Sequence, residues 1–317
     1  MKLAVFGVGA VGESVLKLAS KDDHEIVAIA DSTSAAVDAD GIAVEKALSR
    51  KSYRDQVGSE AIEDALAANY DVLIEATPTT LDDAEPGFSH VRTALERDRH
   101  AVLANKGPVA QRYAELREIE RSSDGTMLFE ATVGGAIPVL STIADHSGEV
   151  TSVRGVLNGT ANFILSRMGT EGLDYEHILA EAQDLGVAEA DPSFDVQGTD
   201  TALKCVILAN VLKDGDYTLA DAEVNGIESL PGSALEVTAQ DDRTIRLLGE
   251  VSTEGTIRVG PRLVTKNSSL AVSGTVNTVQ LETEHSGTLN LSGQGAGGPE
   301  TASAVLSDVR RLEREES

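Results

Sequence analysis

An acidic segment that ends in a lysine, residues 189–204 (EADPSFDVQGTDTALK), contains residue types that could move a proton. Its four carboxylates are Glu189, Asp191, Asp195 and Asp200. Residues 202–212 are almost entirely apolar, which predicts a helix buried on every side. Because an unpaired buried charge is costly, Lys204 must either pair with Asp200 on the same helical face or lose its proton. The segment therefore contains either a surface ion pair or a buried lysine that takes part in a reaction. The apolar residues around Lys204 favour the second interpretation.

A glycine-rich turn, residues 7–12 (GVGAVG), follows a predicted strand at residues 2–6 and leads into a predicted helix. Gly7 permits a tight turn, Gly9 lets the backbone approach a pyrophosphate, and Gly12 allows close packing of helix on strand. The first turn of the helix would offer free N–H groups to phosphates. This context favours a dinucleotide-binding loop over a glycine-rich turn without a ligand.

Asp31 follows a second predicted strand, residues 25–30, and lies 19 residues after Gly12. An acid at this position binds the ribose 2′-hydroxyl of NAD and would repel the 2′-phosphate of NADP. No arginine follows it closely, so the sequence favours NAD. Ser32 and Thr33 could still accommodate a phosphate, and NADP remains the alternative.

The elements around this loop alternate between short apolar segments and helical patterns through the first 135 residues. The strand-like segments are residues 2–6, 25–30, 71–77, 100–106 and 126–132. The helical segments are residues 10–20, 61–68, 88–98 and 109–121. Such alternation predicts an α/β domain with a parallel sheet that is covered on both faces. Residues 32–58 are polar and give only a weak pattern.

The pattern changes after residue 134 and becomes rich in strands near the end of the chain. Helices are predicted at residues 136–146, 161–168, 175–185, 198–212 and 299–312. Strands are predicted at residues 150–157, 244–251, 256–264, 270–283 and 288–291. This order predicts a second domain of the α+β class.

The charge of the chain excludes several classes of partner. Its 52 acidic and 26 basic residues give a net charge of −26, which disfavours nucleic acid and anionic membranes. No run of 18 apolar residues and no signal-peptide pattern is present. The single cysteine, Cys205, cannot form an intramolecular disulfide, as is usual in a reducing cytoplasm. We therefore expect a cytoplasmic protein.

Several segments of the chain, in the same order and over essentially its whole length, resemble the homoserine dehydrogenase family. They are residues 7–12, 75–80 (EATPTT), 104–108 (ANKGP), 130–135 (EATVGG), 158–165 (NGTANFIL), 189–204 and 293–303 (GQGAGGPETAS). The resemblance implies reversible oxidation of L-homoserine to L-aspartate 4-semialdehyde by NAD or NADP, on the route to threonine and methionine. It implies a Rossmann NAD(P)-binding domain at residues 1–134, an α+β catalytic and dimerisation domain at 135–297, and a C-terminal helix at 298–317 that returns to the first domain.

The resemblance also implies which residues act. Lys204 matches the catalytic lysine of the family, and Lys106 matches the lysine of its Asn-Lys-Gly-Pro turn. A neutral lysine can accept the hydroxyl proton, and Asp200 would orient Lys204 or the substrate amine. The implied substrate-binding residues are Glu189, Asp195, Thr160 and Gly159. The implied cofactor-binding residues are Gly7, Gly9, Ala10, Val11, Gly12, Asp31, Thr77 and Gly297.

The resemblance further implies a monovalent cation, Na⁺ or K⁺, and a homodimer. The residues that match the cation positions are Glu130, Val133, Gly135 and Ile137. Three of them would bind through backbone carbonyl groups. Two other functions remain open: a non-catalytic NAD(P)-binding regulator, and a dehydrogenase for another amino-acid-derived alcohol. A regulator would not need Lys106, Lys204 and the clustered carboxylates.

The acidic composition leads to a first prediction about salt. Only nine residues are lysines, and an acidic, lysine-poor surface is typical of a protein from a high-salt cell. Charge repulsion weakens such a fold in dilute buffer, whereas at about 1 M salt the Debye length falls to about 3 Å and the repulsion is screened. We expect the melting temperature and the dehydrogenase activity to rise steeply with KCl. Full activity and an unchanged melting temperature in low-salt buffer would contradict this prediction.

Overall fold

The computed structural model describes residues 1–22 and 24–315, which fold into two compact units. The first unit comprises Met1–Ala136 and Ala296–Ser317, and the second comprises Ile137–Gly295. The boundaries predicted from the sequence lie two residues from these divisions. The binding and dimerisation roles assigned to the two domains stay predictions.

The first unit is built on a six-stranded sheet. Its strands are β1 (Lys2–Phe6), β2 (Glu25–Ala30), β3 (Ala35–Val37), β4 (Val72–Glu75), β5 (His100–Leu103) and β6 (Met127–Leu128). They lie in the order β3-β2-β1-β4-β5-β6, and all neighbours are parallel except β2 and β3. The parallel sheet predicted from the sequence is confirmed. The antiparallel edge strand β3 comes from the segment 32–58, whose polar pattern gave no clear prediction.

The helices of the first unit alternate with these strands. They are α1 (Ala10–Ala19), α2 (Val44–Arg54), α3 (Ile62–Ala67), α4 (Gly87–Leu95), α5 (Lys106–Gln111), α6 (Tyr113–Arg121) and α7 (Ala131–Gly134). The single helix predicted at residues 109–121 is wrong, because the chain leaves the helical conformation at Arg112. There the guanidinium stacks over the Phe88 ring at 3.2 Å and pairs with Glu115.

Three strands of the first unit end earlier than the sequence predicted. β4 ends at Glu75, β5 at Leu103 and β6 at Leu128, two to four residues before the apolar patterns end. After β4 the Thr77 backbone N–H donates to the Glu75 side chain, and after β5 the Asn105 side chain begins α5. Side chains therefore replace the sheet hydrogen bonds at the carboxyl ends of the strands.

The second unit contains another six-stranded sheet. Its strands are β7 (Val150–Val156), β8 (Glu223–Val224), β9 (Arg243–Ser252), β10 (Ile257–Thr265), β11 (Val276–Thr283) and β12 (Thr288–Gln294). They lie in the order β12-β11-β7-β9-β10-β8 and are antiparallel except for the pair β10 and β8. The strand predicted at residues 270–283 begins only at Val276.

The helices of the second unit include one that is buried on all sides. They are α8 (Val139–Asp145), α9 (Gly159–Glu171), α10 (Tyr175–Asp184), α11 (Ser193–Val196), α12 (Thr199–Lys213) and α13 (Gly232–Gln240). Every residue of α12 from Asp200 to Asn210 is buried, as its apolar pattern predicted. The short helices α11 and α13 were not predicted. The α+β class of this unit is confirmed.

The chain returns to the first unit as α14 (Gly298–Glu315), which packs against α1. A Cβ atom at Gly298 would lie 2.7 Å from the Ala10 carbonyl oxygen, so glycine permits this close approach. One side of α14 is buried, and the other carries charged residues. In the described part of the chain, neither this helix nor another has the length and apolarity needed to cross a membrane.

Candidate active site

Lys204 lies within α12 and is only 6 % exposed. Its ammonium group donates hydrogen bonds to Asp200 Oδ2 at 2.7 Å and to the Leu157 carbonyl oxygen at 2.6 Å. Asp200 lies one helical turn earlier, so the pair shares one face of the helix. The interpretation as a surface ion pair is therefore wrong, and the lysine is buried and paired.

Asn158 brings two of the carboxylates together, and sequence reasoning did not select it. It is the N-cap residue of α9, and its Oδ1 accepts a hydrogen bond from the Ala161 backbone N–H at 2.8 Å. Its Nδ2 donates to Asp195 Oδ1 at 2.6 Å and to Asp200 Oδ2 at 3.0 Å. The available signal was an asparagine immediately before a predicted helix, because asparagine is a preferred N-cap residue.

Asp195 lies on α11 and is half-buried. Burial is the largest influence on its carboxyl group and raises the pKa above the ordinary value. The negative charge of Asp200 raises the pKa further, while the hydrogen bond from Asn158 and the charge of Lys204 lower it. The protonation of Asp195 therefore depends on its immediate neighbours.

These groups form the carboxylate–lysine cluster, defined as Asn158, Asp195, Asp200 and Lys204. Two carboxylates face one ammonium group, so the cluster carries an excess negative charge when all three are ionised. A partly buried negative charge of this kind favours a cation that can donate hydrogen bonds. The arrangement can thus hold a substrate ammonium group beside a lysine that is able to exchange a proton.

The other predicted substrate residues differ in their relation to this cluster. Thr160 follows Asn158 and donates from its hydroxyl group to the Val187 carbonyl oxygen at 3.1 Å. Its side chain also contributes to lowering the pKa of Asp195. Gly159 lies between Asn158 and Thr160 in the same turn. Glu189 is exposed, and its role in binding substrate stays a prediction.

The glycine-rich turn has the shape that a phosphate-binding loop needs. Gly7 has φ +94° and lies against a neighbouring backbone, and a Cβ atom at Gly12 would overlap the Gly7 carbonyl group. Nothing lies within 4 Å of a Cβ atom built at Gly9. Helix α1 begins without a side-chain cap, so Ala10 and Val11 stand in a first turn that can bind phosphate oxygens. These residues fit a dinucleotide.

Gly297, another predicted cofactor residue, directly precedes α14 and is exposed. The next residue, Gly298, packs against the Ala10 carbonyl group of α1. Gly297 therefore lies beside the beginning of α1, within the same unit.

Asp31 is buried at the end of β2 and already has several partners. Its Oδ1 accepts hydrogen bonds from the backbone N–H groups of Thr33 at 2.9 Å and Ser34 at 2.8 Å, and its Oδ2 lies 2.9 Å from Lys51 Nζ. Burial is the largest influence and would raise the pKa of Asp31, but these hydrogen bonds and Lys51 together lower the pKa below its ordinary value. Asp31 is therefore ionised at neutral pH. No spacing rule in the sequence pointed to Lys51 as its partner.

A buried carboxylate, Glu75, connects two loops at the carboxyl edge of the first unit's sheet. Its Oε2 lies 2.7 Å from His90 Nδ1. Its Oε1 accepts hydrogen bonds from the Thr77 backbone N–H at 2.9 Å, the Thr77 hydroxyl group and Asn105 Nδ2 at 3.3 Å. Asn105 in turn caps α5 by accepting a hydrogen bond from Gly107 N–H at 2.9 Å. We call this group of side chains the Glu75 network.

The Glu75 network positions two residues that the sequence predicted for the site. Thr77 belongs to it directly, and Lys106 follows Asn105 as the first residue of α5. Lys106 is half-buried, and its backbone N–H donates to Thr79 Oγ1 at 3.4 Å. Ligands of open α/β sheets bind at this edge, which agrees with the predicted placement of Lys106. Lys106 belongs to the first unit and Lys204 to the second.

The predicted cation residues lie close in the chain to residue 136, where the first segment of the first unit ends. They are Glu130, Val133 and Gly135 in the first unit and Ile137 in the second. The Glu130 backbone N–H donates to Asp308 Oδ2 at 2.9 Å, and Glu130 Oε2 lies 3.9 Å from the Arg311 guanidinium group. Within residues 1–22 and 24–315, no three His, Cys, Asp or Glu side chains form a metal-binding group. A cation held mainly by carbonyl oxygens needs no such group, and its site stays a prediction.

Comparisons with known proteins cover nearly the whole chain. The homoserine dehydrogenase NAD binding domain matches residues 7–130, and the homoserine dehydrogenase family matches residues 138–309. The homoserine dehydrogenase of Methanocaldococcus jannaschii is 38 % identical over 98 % of this chain and 97 % of its own length. An NAD(+)-dependent homoserine dehydrogenase of Pseudomonas canavaninivorans is 40 % identical over 75 % of this chain and 70 % of its own length. The crystal structure of a putative homoserine dehydrogenase from Archaeoglobus fulgidus has a TM-score of 0.91 and 40 % identity, covering 98 % of this chain and 99 % of that one.

The Glu75 network predicts a specific loss of stability. Glu75→Leu removes the acceptor of the Thr77 N–H group and of the Thr77 hydroxyl group, and each donor left without an acceptor costs about 1–3 kcal/mol. Urea denaturation should therefore show a loss of at least about 2 kcal/mol. Glu75→Gln keeps one acceptor oxygen and should lose clearly less. Equal stability of Glu75→Leu and the wild type would show that the network does not hold these loops.

Proposed function

The chain belongs to the homoserine dehydrogenase family, and on this premise we propose that it interconverts L-homoserine and L-aspartate 4-semialdehyde, with Lys204 handling the hydroxyl proton. It is an NAD(P)-dependent oxidoreductase with a Rossmann NAD-binding unit and an α+β second unit. The observation that carries the proposal is the buried Lys204, held by Asp200 inside a cluster with excess negative charge.

Oxidation of an alcohol removes a hydride from carbon and a proton from the hydroxyl group. NAD(P), when bound, supplies the hydride acceptor. The neutral amine of Lys204 would accept the hydroxyl proton, and its ammonium form would return a proton to the carbonyl oxygen in the reverse reaction. Asp200 and the Leu157 carbonyl group fix the Lys204 nitrogen from two directions, so the amine is oriented before substrate arrives.

The excess negative charge explains how the site would select an amino acid. Asp195 and Asp200 provide two carboxylates for one lysine. One negative charge is therefore not balanced by Lys204 and would bind the ammonium group of homoserine. Thr160 and Gly159, in the turn that follows Asn158, would contact the same substrate. Glu189, whose side chain is exposed, is proposed to bind the same ammonium group together with Asp195.

Lys106 is proposed to assist the same reaction from the carboxyl edge of the first unit's sheet. The support is its place at the start of α5, where the Glu75 network fixes the backbone. A positive group there would stabilise the developing alkoxide.

For the cofactor we propose NAD in preference to NADP. The glycine-rich turn and the uncapped first turn of α1 fit the pyrophosphate. Asp31 is ionised and would repel a 2′-phosphate, although Lys51 partly balances its charge. The Pseudomonas canavaninivorans relative is NAD(+)-dependent by name.

The wider assignments are also proposals. They are a role in threonine and methionine synthesis, a homodimer, a cytoplasmic location and a bound Na⁺ or K⁺ ion. The alternative of a non-catalytic regulator gives no reason for the carboxylate–lysine cluster. A dehydrogenase for another amino-acid-derived alcohol would use the same cluster, and a substrate comparison separates the two.

The direct test of function is the formation of NADH, followed at 340 nm in high KCl with NAD and L-homoserine. We expect turnover with L-homoserine, little with L-serine or L-threonine, and a higher kcat/KM with NAD than with NADP. Asp31→Asn should move the cofactor ratio toward NADP, whereas Asp40→Asn, an exposed acid of the same unit, should not. An absent homoserine signal would contradict the function, and a tenfold advantage of NADP in the wild type would contradict only the role of Asp31.

Removal of the buried lysine tests its catalytic role. Lys204→Ala should lower kcat by about 100-fold or more, as expected for loss of a general acid–base group, while NAD binding measured by calorimetry is retained. Lys213→Ala is the matched control, because Lys213 ends the same helix and donates to the Thr253 carbonyl group outside the cluster. Near-normal turnover of Lys204→Ala would refute the assignment.

A further inference from the structure

Asn158 lies at the centre of the carboxylate–lysine cluster, yet neither the sequence motifs nor the proposed chemistry gives it a role. It is 6 % exposed, and one amide nitrogen donates to carboxylates from two different helices. We propose that Asn158 is a positioning residue that holds Asp195 and Asp200 side by side and keeps both available to the substrate ammonium group. This inference rests on the proposed function and deepens it.

The orientation of the Asn158 amide is set by the start of α9. Its Oδ1 accepts the hydrogen bond from the Ala161 backbone N–H, so its NH₂ group must point to the other side. On that side lie Asp195 Oδ1 and Asp200 Oδ2, two acceptors that need donors. A flipped amide would place its oxygen against both carboxylates and lose three hydrogen bonds. The cap of α9 thus fixes the direction in which Asn158 acts.

The NH₂ group counteracts the repulsion between the two acids. Burial and the charge of Asp200 raise the pKa of Asp195, whereas Asn158, Thr160 and Lys204 lower it. Lys204 donates to Asp200 and not to Asp195, so Asn158 is the direct amide partner of the less well paired acid. Without this donor the pKa of Asp195 would be higher, and the protonated form of the acid does not attract a cation.

The side chain must be a neutral amide to do both tasks. Aspartate could cap α9 but would add a third negative charge to the cluster, and serine could cap α9 but has no donor pair for the acids. Serine therefore separates the structural task from the positioning task. This difference provides the test.

The test compares Asn158→Ser with Asn162→Ser in the full-length enzyme. Asn162 is a fully buried asparagine one turn further along α9, and its amide donates to the carbonyl groups of Gly274 and Val276. Both variants lose a buried amide, and melting temperatures measure that structural loss. Only Asn158→Ser removes donors from the acids.

For Asn158→Ser we expect a KM for L-homoserine at least about tenfold higher and a KM for NAD within about twofold of the wild type. The acidic limb of the kcat/KM profile for L-homoserine should move to higher pH by about one unit, because Asp195 loses a hydrogen bond to its charged form. Asn162→Ser should leave the acidic limb in place, whatever its melting temperature.

An unchanged acidic limb and an unchanged KM for L-homoserine in Asn158→Ser would overturn the inference while the proposed function stands. Equal shifts in both variants would also overturn it, since they would show a general structural effect. A wild type without activity on L-homoserine would instead overturn the proposed function. In that case the role of Asn158 is still tested by the ¹³C titration of the Asp195 carboxyl group, whose signal is assigned with Asp195→Asn. An equal pKa of Asp195 in the wild type and in Asn158→Ser would show that Asn158 does not control this acid.

Discussion

The ion pair between Lys204 and Asp200 is the interaction on which the rest of the second unit's site depends. An ammonium group inside a helix that is buried on all sides is tolerated only when it is paired with an opposite charge and hydrogen-bonded. Asp200 supplies one acceptor from the same helix, and the Leu157 carbonyl group supplies another from the end of β7. The end of β7 must therefore lie against α12 in one register. That register places Asn158, the next residue, against both carboxylates.

The first unit also contains a buried ionisable group, but one of the opposite charge. Glu75 is fully buried at the end of β4, and its carboxylate oxygens contact donors of Thr77, Asn105 and His90. A buried carboxylate is stable when several donors surround it, so the loops that carry those donors cannot move independently. Because Asn105 also caps α5, the position of Lys106 follows from the same carboxylate. In both units, a buried charge fixes the backbone of the loops that carry its hydrogen-bond partners.

Elements with a clear hydrophobic period could be predicted from the sequence, whereas contacts between distant side chains could not. The parallel strands and the buried helix α12 follow from local apolar patterns, and the structure confirms them. The ends of β4 and β5 were predicted too late, because Glu75 and Asn105 redirect the backbone through side-chain hydrogen bonds that no periodicity encodes. The contacts of Lys51 and Asn158 could not be predicted for the same reason. Each acts on an acid that lies 20 or more residues away in the chain.

Residue type alone could not separate the buried acids from the exposed acids. Asp200 and Glu189 belong to one segment, yet Asp200 is 7 % exposed and paired while Glu189 is exposed. Salt screens exposed charges within a few ångströms at molar concentrations, but it screens buried pairs much less. The buried pair of Asp200 with Lys204 acts at hydrogen-bond distance, and the backbone N–H groups at the start of α1 would bind phosphate at a similar distance. A site built from such contacts keeps its electrostatics in the concentrated salt that the acidic composition predicts, where attraction between exposed charges would be lost.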